Sequence, residues 1–478
     1  MKSKPLTLSI ALLPILVLIA LLSLNVTIYG DDALSGSNQF ILLLGASVAA
    51  IVGFRQHISY HTMIDKVAEN LQSVTGALLI LLFVGALAGT WLISGIIPAM
   101  IYYGLQILHP TFFLPACIII CAIISLATGS SWTTSATVGI ALIGIGKVLG
   151  VPMGMTAGAV ISGAYFGDKL SPLSDTTNLA PAMAGGELFT HIRYMTYTTV
   201  PSILITLIAF LIIGFTQETS GVADTGALLF AIKEKFTIHL GLFIVPTLVI
   251  LMIIRKSPPL IALLVGTLLG GLFALLFQRP ILLELAGTTT LTASAAYRAV
   301  MDAITVSTQI SSSTPLLNDL FSSGGMEGML GTIWLIICAM VFGGIMDAIG
   351  ALSAISQALL NWAKTTFQLF ASTTASCLAI NLTASDQYLS IVIPGKMFAK
   401  AYKDLGLAPE NLSRTLEDSG TVTSVLIPWN TCGAYQSGVL GVGVGEYFIY
   451  AIFNWISPIM TLLYAALHIK IRSLRATT

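Results

Sequence analysis

The chain has 478 residues, of which 56% are hydrophobic and only 9% are charged, whereas an ordinary soluble domain has roughly 25% charged residues. The mean hydropathy is +0.92. The 21 basic and 21 acidic residues balance, so nothing in the charge points to nucleic acid as a partner. The five cysteines are odd in number and lie in apolar segments, which disfavours a disulfide framework. The composition therefore indicates an all-α polytopic membrane protein and excludes a soluble one.

Apolar runs long enough to cross a bilayer follow one another through the first half of the chain. The N-terminal run has no Ala-x-Ala cleavage site, so it is interpreted as a spanning helix and not as a signal peptide. Residues 57–72 are amphipathic and are predicted to lie along the membrane surface. Spanning segments are predicted at residues 6–29, 38–54, 74–108, 152–186 and 194–215.

Residues 111–149 do not fit the pattern of a simple span. Two apolar arms of about 15 residues, short of the roughly 20 needed to cross a bilayer, flank the polar sequence Thr-Gly-Ser-Ser-Trp-Thr-Thr-Ser at residues 128–135. Irregular backbone at membrane depth is tolerated only where it is buried in protein or lines a watery cavity. The segment is therefore predicted to be a re-entrant hairpin whose tip is the polar sequence.

After a polar connection at residues 216–236, the same series of segments returns. A second predicted hairpin, 366–402, carries the polar sequence Asn-Leu-Thr-Ala-Ser-Asp at its tip, residues 381–386. The other elements are an interfacial stretch at 295–313 and spans at 237–254, 259–277, 326–362, 411–443 and 446–469.

Matching positions in the two halves are separated by a nearly constant 255 to 259 residues. Phe83 matches Phe342, Pro172 matches Pro428, and residues 128–131 match residues 383–386. The individual identities are weak, and the constant separation is the stronger signal. It predicts an internal repeat of residues 1–215 and 237–478.

The repeat also predicts the orientation of each half. Each half crosses the membrane five times if its hairpin enters and leaves by one face, so the second copy must be inverted relative to the first. With the N-terminus inside, 15 of the 21 Lys and Arg residues lie on the cytoplasmic side, five lie outside and Lys169 lies within the membrane. This distribution favours ten crossings with both termini cytoplasmic.

Two of the predicted spans are interrupted by helix-breaking residues at matching positions. Such paired interruptions are the best sequence pointer to a transport site, because the breaks expose backbone amides and carbonyls at membrane depth. The span 152–186 contains Gly163, Gly167 and Pro172, and the span 411–443 contains Gly420, Pro428 and Gly433.

Polar side chains at the breaks and hairpin tips are the predicted binding residues, because each polar group at membrane depth is costly. Asp175 is the leading candidate, although it is also placed to cap the following half-helix. A sodium ion is predicted at Asp175, Thr176, Asn178 and Asp386, whose oxygens are hard ligands. The full predicted set is Ser130, Ser131, Asp168, Asp175, Thr176, Asn178, Ser385, Asp386, Asn430 and Thr431.

Other ionisable residues leave alternatives open. Asp347 either carries a proton or only forms a bond between helices. Asp168 and Lys169 either form a structural pair at the helix break or take part in the coupling of transport. Glu417 and Asp418 are expected near the cytoplasmic start of their span, at the interface. No nucleotide-binding or hydrolase motif occurs, so an ATP-driven pump and an enzyme are disfavoured. No resident cofactor is expected.

The first broken span carries a specific resemblance. Residues 128–134 read Thr-Gly-Ser-Ser-Trp-Thr-Thr, and residues 163–178 read Gly-Ala-Tyr-Phe-Gly-Asp-Lys-Leu-Ser-Pro-Leu-Ser-Asp-Thr-Thr-Asn. Together they resemble the NhaC family of sodium/proton antiporters. The resemblance implies sodium exchanged for protons in the plasma (cell inner) membrane, a homodimer, and an elevator-type movement of hairpins and broken helices.

The same family includes malate/lactate exchangers and amino-acid transporters, so a sodium- or proton-coupled carrier of a small organic acid or amino acid is the alternative function. A channel is a third hypothesis, which the paired breaks disfavour. Few cationic side chains lie at membrane depth, Lys169 being the exception, and an organic anion would need helix-end amides or bound sodium to compensate its charge. This favours plain cation/proton exchange.

Overall fold

The computed structural model describes residues 6–29, 36–216, 225–312 and 315–474. Lys2, Lys4 and part of the predicted connection, residues 217–224, lie outside this range. The described chain is almost entirely helical, and its one sheet is a pair of two-residue antiparallel strands, Thr308–Gln309 and Ser322–Ser323. Seven described helices are long and apolar enough to cross a membrane, or eight if a pair bent by 79° is one span. The chain is therefore an all-α polytopic membrane protein, as predicted.

The first predicted spans are found, with one correction. Residues 57–72 do not form a separate surface helix, because they begin the 34-residue helix Tyr60–Ile93. Their apolar face is a packing face: a Cβ on Gly344 would meet the Val67 backbone at 2.7 Å. The predicted span 74–108 also divides, at Gly95 with φ +79°. The helices are Leu8–Tyr29, Ser37–Arg55, Tyr60–Ile93 and Ile96–Ile107.

The first hairpin, residues 110–148, and the first broken helix follow. The hairpin turns at Gly129, and its second arm contains a π-helical turn, Ser135–Gly139. The broken helix is interrupted at residues 171–174, which we call the first break. The helices are Pro110–Thr128, Ser131–Thr134, Ile140–Val148, Met153–Leu170, Asp175–Ala184 and Leu188–Thr216.

The middle of the chain leads into the second series. The predicted interfacial stretch contains the helix Ala293–Thr305, and the predicted span 326–362 divides at Gly350, with φ +72°. The helices are Thr225–Lys235, Ile244–Ile254, Pro259–Phe277, Arg279–Ala286, Ala293–Thr305, Pro315–Leu320, Leu330–Ala348 and Ala351–Trp362.

The second hairpin, residues 366–404, and the second broken helix complete the chain. The second break, residues 427–430, separates the helical segments that begin at residue 409 from the helix Thr431–Leu440. The segments are Thr366–Thr383, Gln387–Asp404, Pro409–Leu416, the π-helix Glu417–Thr421, Ser424–Leu426, Thr431–Leu440, Val444–Tyr447 and Ile452–Ala466.

Elements of the second half start 256 residues after elements of the first. The pairs of starting residues are 110 and 366, 131 and 387, 153 and 409, 175 and 431, and 188 and 444. This spacing corrects the expected match at the hairpin tips by one residue. Ser130, and not Ser131, occupies the position of Asp386, because each of the two is the N-cap of the second arm.

Small residues bring the first hairpin against the first broken helix. A Cβ on Gly163 would lie 2.3 Å from the Ile118 carbonyl oxygen, and a Cβ on Gly167 would lie 2.3 Å from that of Ala122. Only glycine permits the two backbones to approach this closely. The contact carries the hairpin tip to the level of the first break, where a Cβ on Gly129 would meet the Ser174 nitrogen at 2.9 Å.

Candidate functional site

The first hairpin tip is held by hydroxyl groups. Gly129 ends the first arm with φ +69°, and the Ser130 side chain caps the second arm by accepting from the Thr133 nitrogen at 3.1 Å. Ser131 binds the broken helix, since its backbone nitrogen and its hydroxyl both donate to the Asp168 carboxylate, at 3.1 and 2.7 Å. Asp168 therefore joins the hairpin tip to the end of the helix that precedes the first break.

The first break is closed by its own side chains. The Ser174 hydroxyl caps the helix Asp175–Ala184, and the Asn178 amide donates to the carbonyls of Pro172 and Ser174, at 2.9 and 2.7 Å. The Thr176 hydroxyl lies 3.2 Å from that of Ser174. Asp175 is the first residue of the new helix and is exposed. Asn178 thus satisfies the Pro172 carbonyl, and it adds a side-chain bond to the Ser174 carbonyl, which already accepts from the Asn178 backbone nitrogen at 3.2 Å.

The second hairpin tip differs from the first by its charge. Ser385 turns the chain with φ +59°, and one Asp386 oxygen caps the next helix by accepting from the Leu389 nitrogen at 2.9 Å. The other Asp386 oxygen is buried and has no hydrogen-bond partner among the described residues. The same holds for the Ser385 hydroxyl. The second tip therefore presents a buried carboxylate with a free oxygen, where the first presents a serine.

The second break is bonded directly to the second tip. The Thr431 nitrogen donates to the Ser385 carbonyl at 2.9 Å. Asn430 caps the helix Thr431–Leu440, and its amide donates to the Asn381 backbone and side-chain oxygens, both at 3.2 Å. Trp429 donates to the Leu382 carbonyl at 2.9 Å. The positions of Asn430 and Thr431 match those of Ser174 and Asp175, as predicted.

Both tips and the first break line one cavity of about 660 Å³, and Thr431, which directly follows the second break, lines it too. The cavity extends from the Lys256 loop, between the helices Ile244–Ile254 and Pro259–Phe277, to Gln387 and Tyr388 beside the second tip. Lys256 is the one cation among its described lining residues. Six predicted binding residues line the cavity: Ser130, Asp168, Asp175, Thr176, Asp386 and Thr431. The other four, Ser131, Asn178, Ser385 and Asn430, do not line the cavity and lie in the tips, in the second break or in the helix Asp175–Ala184.

Asp347 lies elsewhere. It ends the helix Leu330–Ala348, its side chain is 29% exposed, and it lies 3.6 Å from the Lys66 amine. Lys66 also forms an ion pair with Glu69 at 2.6 Å. The structure therefore favours the bonding role over the proton-carrying role for Asp347.

Two acids occupy a different environment from the one expected. Glu417 and Asp418 are not interfacial, since both are fully buried in the π-helix that follows Pro409–Leu416. Asp418 forms an ion pair with Lys169 and accepts from Thr198 at 2.8 Å. Lys169 is thus paired with an acid of the other half, and not with Asp168. The signal for the burial of Glu417 and Asp418 was the composition of residues 410–419, in which only Leu412 and Leu416 are apolar, so that the segment is too polar to lie against lipid.

Apolar spanning helices around an acid-lined cavity are typical of a membrane transport protein. A sequence profile described as the Na+/H+ antiporter family matches residues 163–469. The chain belongs to this family, and it is a secondary transporter of the antiporter class. Its relatives are transporters and not enzymes.

Several curated relatives share most of the chain's length. The chain is 37% identical to the Na(+)/H(+) antiporter NhaC of Alkalihalophilus pseudofirmus, over 89% of each chain. It is 36% identical to the malate-2H(+)/Na(+)-lactate antiporter of Bacillus subtilis, over 88% of this chain and 86% of the relative. It is also 35% identical to the arginine/ornithine antiporter ArcD of Halobacterium salinarum, over 95% of this chain and 90% of the relative.

Proposed function

We propose that the protein exchanges sodium ions for protons, and that the cavity lined by the two tips, the first break and Thr431 is its ion site. One observation carries the proposal: Asp386 presents a buried, unpartnered carboxylate oxygen to a cavity that Asp175 also lines. An anion in such a place is stabilised by binding either a cation or a proton. Binding one in place of the other is the basis of antiport.

The proposed sodium ligands are centred on the two carboxylates. The Thr176 hydroxyl and the Asn178 amide are already bonded within the first break. No group of three His, Cys, Asp or Glu side chains in the described part of the chain is arranged to hold a metal ion. The remaining ligands would then be oxygens of hydroxyls, carbonyls and water, which suit a hard monovalent cation.

The proposal includes the arrangement of the protein in the membrane. The two halves are inverted repeats, both termini lie in the cytoplasm, and hairpins and broken helices move as an elevator within a homodimer in the plasma membrane. The constant spacing of 256 residues, as between the starts at 175 and 431, supports the repeat. Lys256 is cytoplasmic in this topology, so the cavity that it borders faces the cytoplasm.

The experiment is sodium-driven proton movement in proteoliposomes. Asp386→Asn and Asp175→Asn each remove one carboxylate from the cavity, and we expect each to slow sodium-dependent pH change at least about tenfold. Asp302→Asn is the control, because Asp302 is half exposed and is paired with the exposed Arg298. Wild-type exchange in both cavity variants would refute the site assignment.

A second candidate function is exchange of a cationic amino acid. The cavity of about 660 Å³ is much larger than a sodium ion, and it is lined by Asp168, Asp175 and Asp386 with one lysine. This charge suits an amine or guanidinium group better than a dicarboxylate. The named activity of the Halobacterium salinarum relative, arginine/ornithine exchange, belongs to the same chemical class.

Uptake of labelled substrates separates the two candidates. Arginine, ornithine, malate and lactate are each tested in proteoliposomes, with and without a sodium gradient. Plain sodium/proton exchange predicts pH change without uptake of any of the four. Saturable uptake of arginine or ornithine, lost in Asp386→Asn, would favour the second candidate.

A further inference from the structure

The helical segment 409–421 carries a polar stripe that the ion site does not use. Its members are Glu410, Arg414, Glu417 and Thr421, separated by four, three and four residues, so they lie on one helical face. Arg414 and Glu417 are fully buried, and Glu410 and Thr421 are 8% and 2% exposed. We call these four residues the polar stripe.

Every member of the polar stripe has a polar atom without a hydrogen-bond partner in the described chain. The atoms are Glu410 Oε2, Arg414 Nε and Nη2, Glu417 Oε1 and Oε2, and Thr421 Oγ1, of which the Thr421 hydroxyl adjoins the Glu417 carboxylate without reaching hydrogen-bond distance. Buried polar atoms are ordinarily bonded to protein or to ordered water. A run of unbonded atoms along one face therefore indicates bound water.

Spacing along the stripe supports the same conclusion. Arg414 alternates with Glu410 and Glu417, yet no ion pair within 4.0 Å joins it to either acid in the described structure. Its guanidinium lies 4.6 Å from the Tyr194 ring centre instead. Charges that are buried close together but not in contact are commonly bridged by water.

The polar stripe joins the protein surface to the cavity wall. At its outer end, Arg472, whose side chain is 40% exposed, donates to Glu410 at 3.1 Å. At its inner end, the segment around Glu417 packs against the helix Asp175–Ala184, whose Thr176 lines the cavity near Glu417. The stripe thus reaches the cavity from a direction other than the Lys256 loop.

The charged and titratable groups around Glu417 come from two further helices. Lys169 and Asp168 of the helix Met153–Leu170 face it, and Lys169 is engaged by Asp418. His191 of the helix Leu188–Thr216 bonds to Ser413 on the neighbouring turn, at 2.7 Å, and its other ring nitrogen is unpartnered. Lys169, Asp168 and His191 are therefore the charged and titratable neighbours of the polar stripe on the two adjacent helices.

We propose that the polar stripe holds a file of water molecules that conducts protons between the surface at Arg472 and the cavity wall at Thr176. Sodium enters the cavity on the side that Lys256 borders, so the two ions have separate routes. At each step an O–H bond of one water breaks as an O–H bond forms on its neighbour, and no group is consumed. Chains of ionisable groups serve such relays in membrane proteins. The role of the file in antiport rests on the proposed function, whereas the presence of water along the polar stripe does not.

The first experiment compares two threonines on the same segment. Thr421→Val removes an unpartnered hydroxyl, whereas Thr415→Val removes one that donates to the Asn411 carbonyl at 2.8 Å. Both residues are buried. We expect Thr421→Val to slow sodium-driven proton flux about tenfold while labelled sodium/sodium exchange continues at the wild-type rate, and Thr415→Val to change neither. Equal proton flux in Thr421→Val and wild type would overturn the relay.

The second experiment detects the water file without transport. Thr421→Cys and Thr415→Cys are exposed in detergent to Ag+, an ion small enough to follow water, and modification is read on the peptide that carries the new cysteine. Fast silver binding in Thr421→Cys and slow binding in Thr415→Cys is expected. Slow binding at both positions would overturn the water file. If the wild-type protein shows no sodium-dependent proton flux, the proposed function is refuted but the water file is not. Silver binding at Thr421→Cys and Thr415→Cys then tests the water file independently.

Discussion

At the scale of single residues, Ser130 and Asp386 occupy equivalent positions in the two hairpins, and Asp386 adds a charge to the helix-capping role that both share. Each is the N-cap of the second arm of its hairpin, and each bonds a backbone nitrogen three residues further on. A serine and an aspartate perform this cap about equally well. Only the aspartate adds a second oxygen and a negative charge, so the two hairpin tips differ electrostatically.

Asp386→Ser tests this separation of cap from charge. The variant keeps a capping oxygen and removes the carboxylate, so we expect lost sodium-dependent exchange with an unchanged melting temperature in detergent. Asp386→Ala removes the cap as well, which costs about 1 kcal/mol. Activity measured beside thermal unfolding checks both. Retained exchange in Asp386→Ser would show that the cap, and not the charge, is what the tip contributes.

The Lys169–Asp418 ion pair leads to a prediction about stability. Both side chains are fully buried, so Lys169→Met leaves Asp418 without its counter-charge and should destabilise the protein by about 3–5 kcal/mol. Lys169→Met with Asp418→Leu removes both charges and should cost much less. Thermal unfolding in detergent compares the variants. Lys66→Met is the control, because Lys66 is partly exposed and the loss of its ion pair with Glu69 should lower the free energy of unfolding by at most about 1 kcal/mol. Equal losses in the single and double variants would contradict the assignment.

At the scale of elements, most hairpin and broken-helix boundaries were predictable because each polar interruption stands out against apolar sequence. The span 259–277 was predicted to the residue, and the breaks fall at Pro172 and Pro428 as expected. The surface helix at residues 57–72 was predicted wrongly. Its amphipathic pattern is the same whether the apolar face meets lipid or another helix, and only the neighbouring Gly344 decides between them.

Close packing of the first broken helix on the first hairpin should depend on Gly163. Gly163→Ala places a Cβ 2.3 Å from the Ile118 carbonyl oxygen, so the two backbones must separate. We expect a lower melting temperature and slower exchange, because the hairpin tip moves away from the first break. Gly328→Ala is the matched control, since no atom lies within 4 Å of the added Cβ. A melting temperature of Gly163→Ala equal to that of the wild type would contradict this packing role.

At the scale of the whole molecule, the proposed inverted topology predicts which loops each side of the membrane can reach. Lys256 borders the cavity and is proposed to be cytoplasmic, whereas Lys147 ends the second arm of the first hairpin and is proposed to be external. A membrane-impermeant maleimide applied to intact cells should label Lys147→Cys and spare Lys256→Cys. Inside-out vesicles should give the reverse. Labelling of both residues from one side would rule out this topology.

The sequence by itself determined that this is an all-α polytopic membrane protein and where its polar, helix-breaking interruptions fall; that it has two similar halves and that these interruptions carry its chemistry are predictions from the same pattern. Those features follow from local pattern, because polar groups and helix breakers are too costly in lipid to be accidental. Only the tertiary structure decided which groups share a cavity and which are paired. Lys169 meets Asp418, Asp347 meets Lys66, and Glu417 is buried beside the cavity wall. Such partners lie on segments far apart in the chain, so their pairing depends on how the helices pack.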